Sequence, residues 1–194
     1  RMIRRSRGFA PSPVNLSFSV DGIFAAGAEL VNCFCLGKGD KAILSQHIGD
    51  LKNLETLDFY KESLDRFIEM FRIKPQMVAC DLHPDYLSTR FAEDFAARMG
   101  DLPLIRIQHH HAHIAACMAE NNLPEASKVI GIAFDGTGYG EDGAIWGGEI
   151  LLADYKTYKR AGHLAYVPMP GGEKAIKDPW RMALAWLNKT GLEW

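Results

Sequence analysis

The chain has 194 residues, 47% apolar and 24% charged, enough for one or two globular domains with a sizeable core. Its 22 basic side chains against 24 acidic ones give a formal charge of −2, which argues against a broad electropositive surface for duplex nucleic acid. No apolar run approaches the ~18 residues of a membrane span, and no signal-type apolar stretch follows the opening Arg1-Met2-Ile3-Arg4-Arg5-Ser6-Arg7, so a cytoplasmic protein with neither nucleic-acid nor membrane partner is expected.

Residues 1–15 are basic, contain Pro11 and Pro13, and read as a linker. Three short strands follow, at Phe24 to Glu29, Asn32 to Leu36 and Lys41 to Ser45. Gly37-Lys38-Gly39-Asp40 makes the last turn of this antiparallel meander. Apolar residues then recur at helical spacing through Leu51, Leu54, Leu57, Tyr60, Leu64, Phe67, Ile68 and Phe71. Pro75 to Leu82 reads as a buried strand, Tyr86 to Met99 as a helix, Leu104 to Gln108 as a strand and His109 to Glu120 as a helix. A meander followed by βαβα alternation implies an α/β mixed sheet with flanking helices, of ribonuclease-H-like type. A boundary is expected near residue 125, giving a first lobe over 16–125 and the start of a second over 126–194. In that second part Val129 to Phe134, Ala144 to Ala153 and Arg160 to Val167 read as strands, Asp135 to Gly143 as a glycine-rich loop, and Lys174 to Leu187 as a helix. Cys33, Cys35, Cys80 and Cys117 form no Cys-x-x-Cys pair and read as small buried hydrophobes.

Chemistry concentrates in Gln108-His109-His110-His111-Ala112-His113-Ile114 and in Phe134-Asp135-Gly136-Thr137-Gly138-Tyr139-Gly140. His109 and His113 are four apart on a predicted helix, so both imidazoles can reach one divalent metal. They open that helix at the carboxyl edge of a sheet, where open α/β sheets bind ligands. The positive helix end disfavours imidazolium, so neutral rings are expected. Asp135 offers a third ligand, or else an Asx turn that stabilises its own loop. Nitrogen and carboxylate ligands suit iron or zinc alike. His110 and His83 are candidate acid–base or substrate-contacting residues, and Asp85 is a candidate N-cap for the helix after it. Gly136, Thr137, Gly138 and Gly140 fail the dinucleotide fingerprint, because Glu141 takes the third glycine position and a strand follows. Their backbone amides can instead form a concave nest for phosphate oxygens. A metal-dependent hydrolase would need a general base, for which Glu141 and Asp142 are the nearby candidates. A non-catalytic nucleotide-binding module is a further alternative.

Ser45-Gln46-His47-Ile48-Gly49-Asp50-Leu51, Ala79-Cys80-Asp81-Leu82-His83-Pro84-Asp85-Tyr86, the histidine run and the Asp135 glycine segment together resemble the HypF family, carbamoyltransferases of [NiFe]-hydrogenase maturation. The likeness runs from about Arg4 to the end. It implies that residues 1–15 trail from a YrdC-like domain, and that the rest is a TsaD-like transferase domain of the actin-like (ASKHA) superfold with its second lobe truncated. The implied reaction converts carbamoyl phosphate and ATP into carbamoyl adenylate. The carbamoyl group then passes to the C-terminal cysteine thiol of a HypE-like acceptor. The resemblance makes His109, His113 and Asp135 the metal ligands, places the glycine segment near the adenylate phosphate, and leaves the nucleophile to the acceptor. One departure stands in Ala28-Glu29-Leu30-Val31-Asn32-Cys33, where Val31 and Cys33 replace the family's lysine and threonine. A fragment of this kind is expected to transfer carbamoyl poorly by itself.

Overall fold

The structure is a computed structural model that describes residues 12–191. The chain divides into two compact units, with the break between Gly162 and His163. Most of the expected amino-terminal linker lies outside the described residues. Within them, Val14–Asn15 already forms an edge strand, β1.

The first unit carries β2 (Ile23–Ala25), β3 (Cys35–Lys38), β4 (Lys41–Leu44), β5 (Met77–Asp81) and β6 (Leu104–Ile107) in one mixed sheet ordered β1-β4-β3-β2-β5-β6. β2, β3 and β4 form the expected antiparallel meander, while β5 and β6 run parallel to β2. The first two strands are shorter than their apolar runs suggest. After Ala25 the chain leaves the sheet, and Asn32 bridges to Gly49 before β3 begins. Asn32 is buried and its amide donates to the Ala26 and Ala28 carbonyls, so a polar side chain replaces the ladder across this loop.

Two helices cover the sheet. α1 (Leu54–Phe71) starts at Asn53, whose side chain accepts the Glu55 N–H at 2.8 Å. Its buried stripe of Tyr60, Leu64 and Phe67 meets Phe24 and Phe34 of the meander. α2 (Leu87–Arg98) adds Phe91 and Phe95 to the same aromatic core. Asp85 does not cap α2: its carboxylate pairs with Arg90, and the buried Glu29 side chain, 58 positions away, accepts the Leu87 N–H at 2.7 Å.

α3 (His109–Glu120) follows β6 directly and packs on a second sheet of β7 (Val129–Tyr139), β8 (Ile145–Ala153) and β9 (Tyr158–His163). The expected glycine-rich loop over Asp135 to Gly143 is confined to its second half, a turn at Gly140 to Gly143, and Asp135 to Tyr139 is instead the end of β7. The strand continues to Tyr139, and the register shifts between Phe134 and Gly138 so that Asp135, Gly136 and Thr137 bulge opposite Gly147. β9 begins two residues earlier than predicted and ends at His163 rather than Val167.

In the second unit, the single helix expected over Lys174 to Leu187 is two, α4 (Lys174–Lys177) and α5 (Trp180–Thr190). Pro179 lies between them, lacking the N–H that a continuous helix would need. Gly191 closes α5 in the left-handed conformation, at φ 69°. Among the described residues no helix is long and apolar enough to cross a membrane.

Candidate metal centre

Parallel strands deliver the centre. Asp81 ends β5, and Gln108 follows β6 at the same sheet edge. The Gln108 side chain accepts the His111 N–H at 3.0 Å, which starts α3 immediately after the strand. His109 and His113 then fall one turn apart on α3, and the β7 bulge brings Asp135 to face them.

The three groups meet. Asp135 Oδ2 lies 2.8 Å from His109 Nε2 and 3.2 Å from His113 Nε2, and the two ring nitrogens are 3.2 Å apart. Three donor atoms this close can share one ion at ligand distances of about 2.0–2.2 Å. Two imidazole nitrogens and one carboxylate oxygen are a donor set that divalent iron and zinc accept. The described residues therefore fit a metal ion at His109, His113 and Asp135. The other nitrogen of His109 is also held, with Nδ1 2.7 Å from Asp81 Oδ2. A carboxylate behind a ligating histidine is the usual means of fixing its orientation. The sequence reading missed Asp81 in this capacity.

Charge follows from these contacts. Hydrogen bonds to Asp135 and then Asp81 push His109 up to about 9 against the cost of its burial. Hydrogen bonds to His109 and His113 hold Asp135 well below the usual carboxylate range. Without an ion, two adjacent carboxylates favour a protonated His109 ring and oppose the helix terminus, whereas a bound cation would favour the neutral, ligating ring.

A cavity of about 550 Å³ opens over the triad. Its walls are mainly small and apolar, including Ala25, Ala28, Ala79, Ile107, Ala112 and Ala116, with Leu30 and Val31 also contributing. Val31 has a positive φ of 52°, which is unusual for a β-branched residue. Tyr86 and Thr137 add hydroxyl-bearing side chains to the wall. Burial pushes Tyr86 up to about 12, so its phenol stays protonated and able to donate. Cys80 also lines the cavity, and burial pushes its thiol up to about 11, making it a poor nucleophile near neutrality.

Other predicted residues sit elsewhere. His110 is fully buried: Gln108 Nε2 faces its Nδ1 at 3.1 Å and its Nε2 lies 3.5 Å from the Asp135 carbonyl. An imidazole so enclosed packs against the strand that carries Asp135 and does not line the cavity, which is the setting of a supporting residue and not of the expected acid–base residue. His83 is not among the cavity-lining residues. It stacks on Tyr86 at 4.2 Å, and its Nδ1 accepts the Asp85 N–H. His111 ties α3 to the Asp154 carbonyl at 2.8 Å.

The glycines divide by role. A Cβ at Gly138 would come within 2.5 Å of the His110 ring, and one at Gly140 would strike the Trp146 indole, so close packing demands both. Gly136 has nothing within 4 Å of that position. None of the three has a positive φ: Gly136 and Gly138 lie in the bulged strand and Gly140 directly after it, without the alternating backbone of the expected nest. Glu141 accepts from the Tyr158 hydroxyl and Asp142 from the Trp146 indole, and neither lines the cavity. The hydrolase alternative thereby loses both candidate bases.

Family models match on both sides of this centre: the HypF Kae1-like domain over residues 19–120, and the second subdomain of the carbamoyltransferase Kae1-like domain over residues 131–194. Carbamoyltransferase HypF2 of Cupriavidus necator is 47% identical over 98% of this chain and 23% of its own length. Carbamoyltransferase HypF of Rhizobium leguminosarum bv. viciae is 44% identical over 97% of this chain and 24% of its own. A crystal structure of full-length HypF in a phosphate- and nucleotide-bound form superposes with a TM-score of 0.86 at 50% identity, covering 96% of this chain and 24% of that one. The T. kodakarensis HypF structure gives 0.87 at 43%, covering 97% and 24%. The chain thus spans about a quarter of the length of these relatives. With matching models on both halves and near-complete coverage at this identity, the chain belongs to the HypF family and carries its Kae1-like region.

Proposed function

We propose that this segment supplies the transfer site of a carbamoyltransferase in hydrogenase maturation. It would pass a carbamoyl group from carbamoyl adenylate to the C-terminal cysteine thiol of a HypE-like acceptor. The carrying observation is the His109–His113–Asp135 cluster under an open, largely apolar cavity, in a chain assigned to HypF. An antiparallel meander leading into two parallel strands supports the ribonuclease-H-like half of an actin-like (ASKHA) fold, with β7–β9 beginning its second lobe. ATP and carbamoyl phosphate would be consumed by a YrdC-like domain elsewhere in the longer protein. Nucleotide and phosphate in a relative's structure support an adenylate substrate.

In this reading the acceptor's thiolate sulfur attacks the carbamoyl carbon. The bond from that carbon to the adenylate phosphate oxygen breaks, and AMP leaves. His109, His113 and Asp135 would hold a divalent ion, which when bound would supply Lewis-acid polarisation of carbamoyl or phosphate oxygens. The chain's own side chains do the rest. Asp81 holds the His109 ring with Nε2 toward the cavity. Tyr86 presents a protonated phenol to a substrate oxygen. Thr137 and the unobstructed backbone of Gly136 leave room for a phosphate. The apolar wall limits water and so disfavours hydrolysis of the adenylate. No thiol of this chain is needed, in keeping with the raised Cys80.

The test has two arms. Elemental analysis of the untagged chain should find iron or zinc in wild type and none in His109→Ala or His113→Ala. In HypF carrying this segment, mass spectrometry should find carbamoyl on the acceptor cysteine, lost in the same variants. Carbamate release without any thiol would instead establish a hydrolase.

A further inference from the structure

The Asp135 bulge creates an orphan. Asp135, Gly136 and Thr137 stand opposite Gly147 alone, so the ladder cannot engage every backbone group there. The Gly147 N–H donates instead to Glu149 Oε1 at 3.3 Å. Glu149 is 1% exposed and grips Arg160 through two hydrogen bonds, 2.6 Å to Nε and 2.9 Å to Nη2. The Arg160 guanidinium lies 3.9 Å over the Trp146 ring, and Trp146 neighbours His110, whose Nε2 faces the Asp135 carbonyl. His110 thus lies against the Asp135 carbonyl, while Glu149 holds the N–H of the one residue that faces the bulge.

We propose that Glu149, held in place by Arg160, is a positioning residue for the metal ligand Asp135. By accepting the Gly147 N–H, it stabilises the register in which the Asp135 carboxylate faces the two histidines. A slip by one residue would turn Asp135 to the opposite face of the sheet and leave the centre with two ligands. This inference rests on reading the triad as a metal centre.

Cobalt(II) titration of the purified chain tests it, following the visible absorption of the bound ion and the thermal melt of each variant. Wild type should bind one cobalt. Glu149→Ala, which removes the acceptor, should weaken cobalt at least tenfold and change its spectrum, as loss of outer support for a ligand does. Glu149→Gln keeps an acceptor for Gly147 but discharges the pair, so it should lower the melting temperature while leaving cobalt affinity within about twofold of wild type. Unchanged affinity in Glu149→Ala, or equal loss in both variants, overturns the assignment and leaves Glu149 as a fold-stabilising ion pair. Failure of wild type to bind cobalt would instead overturn the metal reading itself. Should Glu149→Ala not fold, Arg160→Lys substitutes: it frees the carboxylate to move, and should shift the cobalt spectrum with the fold retained. An unaltered spectrum there counts against the proposal.

Discussion

Asp81 and His109 are 28 positions apart, yet their 2.7 Å contact fixes how the His109 ring faces His113 and Asp135, and so how it would meet an ion in the proposed centre. Removing the carboxylate leaves the ring free to rotate, so Asp81→Ala should weaken metal binding by about 10–100-fold. Asp81→Asn, which can still accept from Nδ1, should lose less. Competition against a chromophoric chelator would measure both, and equal affinity in all three proteins would refute the role. The thiols give a second test at this scale. Burial pushes Cys35 up to about 12 and Cys80 up to about 11, whereas Cys117 is exposed. Since the thiolate is the reactive form, iodoacetamide at pH 8 should label Cys117 first, with Cys35 and Cys80 reacting only on unfolding. Peptide mapping by mass spectrometry reads the order. The pairing of His109 with His113 was legible in the sequence because helical spacing places both on one face. Asp81 was not, since only the parallel pairing of β5 and β6 brings its carboxylate under α3.

Among elements, β7 shows why composition misled. Glycines in a row read as a turn, but two of these are small because α3 and the Trp146 indole press against them. That difference predicts unequal costs. Gly138→Ala would push a methyl into the buried His110 ring and should destabilise the chain by about 1–3 kcal/mol. Gly136→Ala meets open space and should stay within about 0.5 kcal/mol of wild type. Urea melts distinguish the two, and similar losses would indicate that the segment is a loose loop. Periodicity served the helices better, since it reports the buried stripe directly: α1 and α3 end where their patterns end. The pattern across Lys174 to Leu187 runs through Pro179 because both short helices share one apolar rhythm, and proline's missing N–H decides the break.

At the scale of the whole molecule, the meander-then-parallel order of the first sheet was legible, because connection lengths leave few alternatives. The condition of the second sheet was not. Along β7, Gly131 and Ala133 face α3, while Ile130, Ile132 and Phe134 point away and are 69%, 59% and 81% exposed. Register places Leu152 opposite Ile130 and Ile150 opposite Ile132, so β8 extends the same exposed apolar face. Alternation predicts which residues share a face but not whether anything covers it. Among the described residues β7 is an edge strand, and a contiguous apolar surface beside such an edge favours association. The isolated chain should therefore bind an apolar dye such as ANS and sediment with a concentration-dependent mass. Ile130→Lys together with Ile132→Lys should suppress both effects, because charge on this face opposes apposition. The same pair should change the melting free energy by less than about 0.5 kcal/mol per site, since these side chains bury little. A monomeric wild type with no dye response would show that the face is too small or too curved to pair. A large loss of stability in the double variant would show that these isoleucines are packed rather than exposed.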